Sequence, residues 1–381
     1  MNFQLTEDQL MLREMAREVA ERDIAPFAAD ADLNQEFPRR QFEAIRDAGL
    51  LGLPFPEEVG GQGATTLDYV IVMEEISRAC ASTGVTFSVQ TSLAGLPLFR
   101  FGNEAQRQQF LAPLNRGEKL GAYSLSEANS GTDAASLTCA ARRDGDHYVV
   151  NGTKMWVTNG YHADTYIVYV TVDPALKYKG ITALIIEKGT PGFTFGKKED
   201  KLGIRGSATY ELVFQDCRVP VANRLGEEGE GFKIAMWTLD GGRIGIAAQA
   251  IGIAQAALDA ATRYTQERVQ FGKPLSEQQA IAFTLAEMAT DIEAARLLMY
   301  RAAVLKDEGE DHTQAASMAK LLASETAMRV TTQAVQLHGG YGYVREFPVE
   351  RLMRDAKITE IYEGTSEVQR MVISRAELSV R

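Results

Sequence analysis

The sequence predicts an α+β protein in three consecutive blocks: an N-terminal helical domain, a middle antiparallel β domain and a C-terminal four-helix bundle. Two changes of texture mark the blocks. Near Gly121 helical periodicity gives way to short β-branched and aromatic runs, and after the glycine cluster Gly226, Gly229 and Gly231 it returns and persists. At 381 residues the chain exceeds the size at which one core usually keeps growing, so several packed domains are expected. Their limits are read as residues 1–120, 121–225 and 226–381.

In the first block, Thr6 and Gln9 have the spacing of a capping box, and Leu12, Met15, Ala16 and Val19 fall on one helical face. Pro26 is expected to end that helix. Further helices are expected over about 40–49, 67–80 and 104–111, the first of these stopping at Gly49 ahead of Pro54 and Pro56.

The β block offers strands at 148–150, 165–172, 181–186 and 209–214, separated by turn residues such as Asp144-Gly145-Asp146, Asn151-Gly152 and Pro191-Gly192. No helix of crossover length lies between them, so antiparallel pairing is expected. Gly192, Gly196, Lys197 and Lys198 superficially have the look of a phosphate loop. The glycine spacing is one short and no Ser or Thr follows the lysine, so a turn is the reading. No GxGxxG opens a helix after a strand, and a dinucleotide would have to bind by something other than a Rossmann domain.

In the third block, Ile281, Leu285, Met288, Ile292, Ala295, Met299 and Ala302 recur at spacings of four and three after Pro274. That stripe is bundle core and not a cofactor box. An Ala-rich helix over 312–338 and a last helix after Glu363 complete the bundle.

Lys and Arg number 40 against 51 Asp and Glu, a net charge of −11, and no basic patch offsets it. Nucleic acid and anionic membranes are therefore unexpected partners. The N-terminus lacks the basic and apolar regions of a signal peptide, and no apolar run approaches a bilayer-spanning length. Cys80, Cys139 and Cys217 are too scattered for a disulfide framework, and no Cys/His spacing suggests a metal, so the cytoplasm is the expected compartment. His147, His162, His312 and His338 are widely spaced singles and receive no catalytic role.

Three segments carry chemistry. Residues 123–133, with Tyr123, Leu125, Ser126, Gly131 and Thr132, combine hydroxyls, backbone amides and small residues at the first block boundary, suited to a flat polar heterocycle or a pyrophosphate. Read alone, a solvated loop is the ordinary reading. Trp156, Val157 and Thr158 set an aromatic face beside a hydroxyl, although a half-buried strand would explain them too. Tyr362, Glu363, Gly364, Thr365, Ser366 and Glu367 put a carboxylate between an aromatic residue and a helix start. An apolar setting would raise its pKa and make it a proton acceptor near neutral pH. From chemistry alone, an ordinary helix-start glutamate stabilised by the dipole is the better reading.

Taken together and in this order, these segments resemble the acyl-CoA dehydrogenase family over essentially the whole chain. Further matches are Asp240-Gly-Gly-Arg243, Arg268-Val-Gln-Phe-Gly272, Gln336-Leu-His-Gly-Gly340 and Met353-Arg-Asp-Ala-Lys357. The likeness is greatest to bacterial butyryl-CoA dehydrogenases. It implies FAD-dependent oxidation of a short acyl-CoA to its trans-2-enoyl-CoA, with Glu363 removing the α-proton and hydride passing to flavin N5. Tyr123, Leu125, Ser126, Gly131 and Thr132 would wrap the flavin, with Trp156, Val157 and Thr158 on its other face. Thr365, Ser366 and Glu367 would complete the pocket. Arg268, Phe271, Gln279, Gln336, Leu337, His338, Gly339 and Gly340 would reach the FAD of a neighbouring subunit, implying a homo-oligomer, read as a tetramer built from two dimers. Asp240, Arg243, Thr132, Tyr362 and Gly364 would contact the substrate. An electron-transferring flavoprotein would reoxidise the flavin.

Two family branches place the base at the residue before the arginine, which here is Gly242, so Glu363 is the candidate. One departure stands out: many members read Thr-Glu-Pro where this chain has Ser126-Glu127-Ala128, which leaves the loop less rigid before binding. The competing readings are a medium-chain or branched short-chain acyl-CoA dehydrogenase, an oxygen-using relative, and a catalytically silent flavin-binding scaffold.

Overall fold

The computed structural model describes residues 4–379. Helix Glu7–Val19 opens on a capping box, the Gln9 N–H donating to Thr6 at 3.2 Å and the Gln9 side chain accepting from the Thr6 N–H at 3.1 Å. Pro26 does not end the helical path. Residues Ala20–Ile24 widen into a π turn and Ala25–Phe27 tighten into a 3₁₀ turn before helix Ala28–Asn34. The proline falls in the first turn of the new segment, where its missing N–H costs nothing.

Helices Arg39–Asp47 and Thr66–Ala79 follow, and then a stretch that the sequence did not disclose. The chain stays helical from Ala81 to Phe101, and every residue from Ala81 to Gly95 is buried. A helix enclosed on all sides needs no polar face, so it leaves no amphipathic period to read.

Eight strands form the middle sheet: β1 Gly121–Ser124, β2 Ala140–Asp144, β3 His147–Thr158, β4 Thr165–Thr171, β5 Ile181–Glu187, β6 Phe193–Lys198, β7 Thr209–Pro220 and β8 Arg224–Leu225. The order is β6-β7-β3-β2-β4-β5-β8, with β1 also beside β4. Most pairs are antiparallel, as expected. The exceptions are β1 with β4 and the single pairing of Ala140 with Thr171, both parallel. Residues 125–164, hairpin β2–β3 included, supply the crossover that a parallel pair needs.

The segment 192–198, expected as a turn, is a turn only at Gly192, with φ at 84°. Gly196, Lys197 and Lys198 belong to edge strand β6, paired with β7 through a register shift between Phe195 and Lys198. A glycine and two lysines dilute the strand signal, and an edge position tolerates them.

Strand β4 is buried on both faces. Tyr166, Val168 and Val170 join one core cluster and Ile167 and Tyr169 the other, so the strand reads as a continuous apolar run.

Helices Gly231–Glu267, Gln279–Asp307, Thr313–His338 and Ser366–Ser379 make the bundle, with Val349–Lys357 packed against it. Of the core stripe, Met288, Ile292, Ala295, Met299 and Ala302 are buried, whereas Ile281 and Leu285 are only partly covered. Helix Gly231–Glu267, hereafter the long helix, is long and apolar enough to cross a membrane, contrary to the reading that no such run exists. Its apolar stretch is 72% buried inside the protein, which is what a core helix requires.

Candidate functional site

β1 carries the chain to the junction of the first two blocks, and residues 125–127 fold back onto β3. The Met155 N–H donates to the Ser126 carbonyl at 2.9 Å, and Lys154 Nζ donates to the Leu125 carbonyl at 2.9 Å. Beneath them lies a buried ion pair. Lys154 Nζ meets Glu127 Oε1 at 2.8 Å, with the lysine side chain fully buried and that of the glutamate 3% exposed. Glu127 also accepts from the Thr138 N–H at 2.6 Å, the Thr138 hydroxyl at 2.7 Å and the Cys139 N–H at 2.9 Å. Burial opposes its charge, but Lys154 and the amide donors outweigh it and hold the carboxyl below the usual range. The loop lacking the proline is thus braced by a charge. Neither residue was singled out from the sequence, because a buried lysine and a solvated one look alike in a single chain.

This bracing leaves the candidate residues at the edge. Gly131 and Thr132 are exposed, Ser126 and Tyr123 half-buried, and Leu125 buried. Trp156 lies in a bulge of the β3–β7 pairing between Lys154 and Val157, with φ at 61° and 58% of its surface exposed. Bulges re-aim a side chain out of the pleat, and this one presents an indole face to the outside. Val157 is buried and Thr158 half-buried.

Glu363 stands three residues before helix Ser366–Ser379 and outside its first turn. Its φ is 50° and that of Gly364 is 90°, a left-handed turn. The carboxyl crosses to the long helix: a Cβ built on Gly242 would lie 2.0 Å from Glu363 Oε2 and 3.1 Å from Leu93. Only a glycine at 242 leaves that space. Burial pushes the Glu363 carboxyl up to about 7, against the pull of Lys320 and Arg243. The helix-dipole reading of this residue therefore does not fit the geometry.

Two turns of helix Thr313–His338 organise the surroundings. Thr313 Oγ1 donates to Asp240 Oδ2 at 3.3 Å, and Arg243 Nη1 donates to Ser317 Oγ at 3.2 Å and to Asp240 Oδ1 at 2.6 Å. Lys320 Nζ donates to the Gly364 carbonyl at 2.8 Å. Tyr362 donates its hydroxyl to Gln249 of the long helix. Buried polar atoms without a protein partner include Arg243 Nε, Glu363 Oε2, Ser366 Oγ and Gln369 Oε1. Such orphaned groups on neighbouring elements suit a polar bound molecule. Thr365 is half-buried and Glu367 exposed.

The remaining candidates assemble elsewhere. Arg268 and residues 336–340 line one open cleft of about 920 Å³ together with Tyr264 and Phe347, and none of the residues around Glu363 borders it. His338 is buried there, its ring stacked 4.2 Å from that of Tyr264. Gln279 is exposed, and Phe271 is 95% exposed at the tip of the small hairpin Val269–Gln270 with Lys273–Pro274.

The matches to known proteins place this three-block fold and its buried carboxyl among FAD-dependent oxidoreductases. Residues 6–118, 122–217 and 229–378 match the N-terminal, middle and C-terminal domains of acyl-CoA dehydrogenase. The chain belongs to the acyl-CoA dehydrogenase family. It is 52% identical to a short-chain specific acyl-CoA dehydrogenase of Clostridium acetobutylicum over 98% of this chain and 99% of that one. The solved butyryl-CoA dehydrogenase of Megasphaera elsdenii is 51% identical, with a TM-score of 0.97 over 99% and 100% of the two chains. A chain solved under the description "Electron transferring flavoprotein of Acidaminococcus fermentans" is 52% identical, with a TM-score of 0.98 over 99% and 100%.

Replacing Lys154 with Met would leave Glu127 as an uncompensated buried charge, a change that typically costs about 3–5 kcal/mol. The expected outcome is a lower melting temperature together with reduced flavin content in the purified protein. Unchanged melting and full flavin occupancy would show that the loop is held by other means.

Proposed function

We propose that the chain dehydrogenates a short, straight-chain acyl-CoA between its α and β carbons, with Glu363 as the base. The observation that carries this reading is the Glu363 carboxyl itself, buried, pushed up to about 7 and with Oε2 unpartnered against Gly242. An acceptor of that proton affinity suits an α-proton at neutral pH. Bound FAD supplies the acceptor for the β-hydride. Tyr123, Leu125, Ser126, Gly131, Thr132 and the segment 156–158 would hold its ring, with Thr365, Ser366 and Glu367 closing the pocket. Asp240, Arg243, Thr132, Tyr362 and Gly364 would hold the thioester, Arg243 contributing a fixed positive charge toward an anionic ligand. An electron-transferring flavoprotein is the proposed acceptor, supported by the Acidaminococcus likeness. Three free, buried cysteines suit a reducing, cytoplasmic setting.

The short-chain reading has its own support. Gly242, Gly245 and Gln249 lie on one face of the long helix. At Gly245 a Cβ would already stand 3.0 Å from Ser88 Oγ and 3.1 Å from Tyr69 Oη. At Gln249 the side chain is fully buried, donating to the Ala81 carbonyl at 2.9 Å and accepting from Tyr362. A longer chain would have to displace a buried, hydrogen-bonded amide, whereas a shorter one forgoes only about 0.8 kcal/mol per methylene.

The oligomer completes the reading. Because the cleft at Arg268 and 336–340 is separate from Glu363, it would serve the FAD of a neighbouring subunit, and the bare Phe271 beside it would be covered there. A dimer of dimers is the proposed assembly.

Four outcomes are expected. Anaerobic mixing with butyryl-CoA bleaches the flavin of the wild type, and Glu363→Gln slows that bleaching by about 10² to 10⁴-fold. The wild-type rate falls as pH drops through about 7, because a raised carboxyl pKa leaves the base protonated below that point. Bleaching of the mutant at the wild-type rate would remove Glu363 from the role. Measured from C4 to C12, kcat/KM is expected to peak near C4 and drop steeply beyond it; a maximum at C8 or longer sinks the short-chain reading. Sedimentation should find an oligomer that retains flavin, and a monomer with full flavin occupancy would contradict the shared cleft.

A further inference from the structure

Lys320 has no place in the chemistry described so far, yet it is fully buried and sits one turn from Ser317, which receives Arg243. A core position gains nothing from a lysine that an apolar side chain of similar size would not supply better. Its Nζ donates to the carbonyl of Gly364, the residue after the base, at 2.8 Å. Gln369 donates to the same carbonyl at 2.8 Å and to that of Glu363 at 3.3 Å. Two donors from different helices therefore grip the turn whose left-handed backbone aims the Glu363 carboxyl at Gly242.

The charges around the base come from every side. Arg243 faces Glu363 from the long helix and Lys320 from helix Thr313–His338, while Tyr69, Tyr123 and Tyr362 sense its charge from helix Thr66–Ala79, β1 and its own turn. Burial drives the three phenols upward, so they stay neutral. Lys320 is faced in turn by Glu363, Arg243, Glu360 and Glu367. Burial lowers its ammonium to about 8 and raises the Glu363 carboxyl to about 7, and each charge favours the charged form of the other.

We propose that Lys320 is the positioning residue of the base: it fixes the 363–364 turn through the Gly364 carbonyl and supplies charge that favours the carboxylate form of Glu363. This deepens the proposed function and rests on Glu363 being the base. The reach of the one helix face is then wider than packing, since Thr313, Ser317 and Lys320 hold Asp240, Arg243 and the base turn together.

The test compares wild-type holoenzyme with Lys320→Met, which removes charge and donor, and Lys320→Gln, which removes charge alone, each checked for FAD content and assembly. Flavin bleaching by butyryl-CoA is followed from pH 6 to 9, and the Glu363 carboxyl is titrated by infrared difference spectroscopy on resting enzyme, its band assigned by loss in Glu363→Gln. The acid limb is expected to move up by about one pH unit in both variants, so that they run about tenfold below wild type at pH 6.5 with the gap narrowing toward pH 9. The infrared midpoint should move with it. A limb and midpoint that stay put in a variant that assembles would overturn the proposal, even if its rate falls at every pH. Should neither variant assemble, the wild-type titration decides: a carboxyl mostly ionised at pH 8 supports the compensating charge, and one still mostly protonated at pH 8 refutes it. Failure of wild type to bleach with any acyl-CoA would instead sink the functional reading, leaving the infrared result to stand by itself.

Discussion

A single buried charge pair ties the junction of the blocks. Lys154 and Glu127 join β3 to the loop after β1, and Glu127 reaches on to the amides of Thr138 and Cys139 just before β2. The start of β1 is fixed from the other side, where buried Gln90 accepts from the Gly121 N–H at 2.6 Å and donates to the carbonyls of Leu114 and Lys119. The path from helical core to Gln90, to β1, to the braced loop and to Trp156 is therefore polar and specific. Apolar packing is non-directional, whereas a desolvated ion pair with its remaining bonds satisfied resists displacement, because any shift exposes an unpaired charge to the interior.

Legibility in the sequence followed solvent contact. The capping box of Thr6 and Gln9 and the stripe from Met288 to Ala302 could be read because one side of each helix meets water, and the alternation of side chains records it. The stretch from Ala81 to Gly95 has no such side and went unseen. Pro26 reads as a terminator because the sequence alone does not say whether a proline begins a new turn or ends an old one. The edge strand around Gly196 was lost to its own composition.

The site was legible by a different route. No periodicity points at Glu363; it came forward through resemblance over several segments, and local chemistry favoured a mundane helix start. What the sequence withheld was the supporting charge. Glu127, Lys154 and Lys320 are charged residues in a chain that is 24% charged, and only tertiary structure separates these buried ones from the solvated majority. The division of the candidates into a group around Glu363 and a group around Arg268 is likewise spatial, since both lie within the same C-terminal block of sequence.

The near-contact of Gly242 with Glu363 has a consequence for substitution. Two positions 121 residues apart by numbering compete for one volume. Moving the carboxylate from the 363 turn to the long helix takes a change at both positions. An acid placed at 242 with Glu363 retained would set two carboxylates in a space that holds one, and an acid removed from 363 alone would leave that space without a carboxylate. The two positions are therefore coupled by volume, and a glycine at 242 is the structural counterpart of an acid at 363.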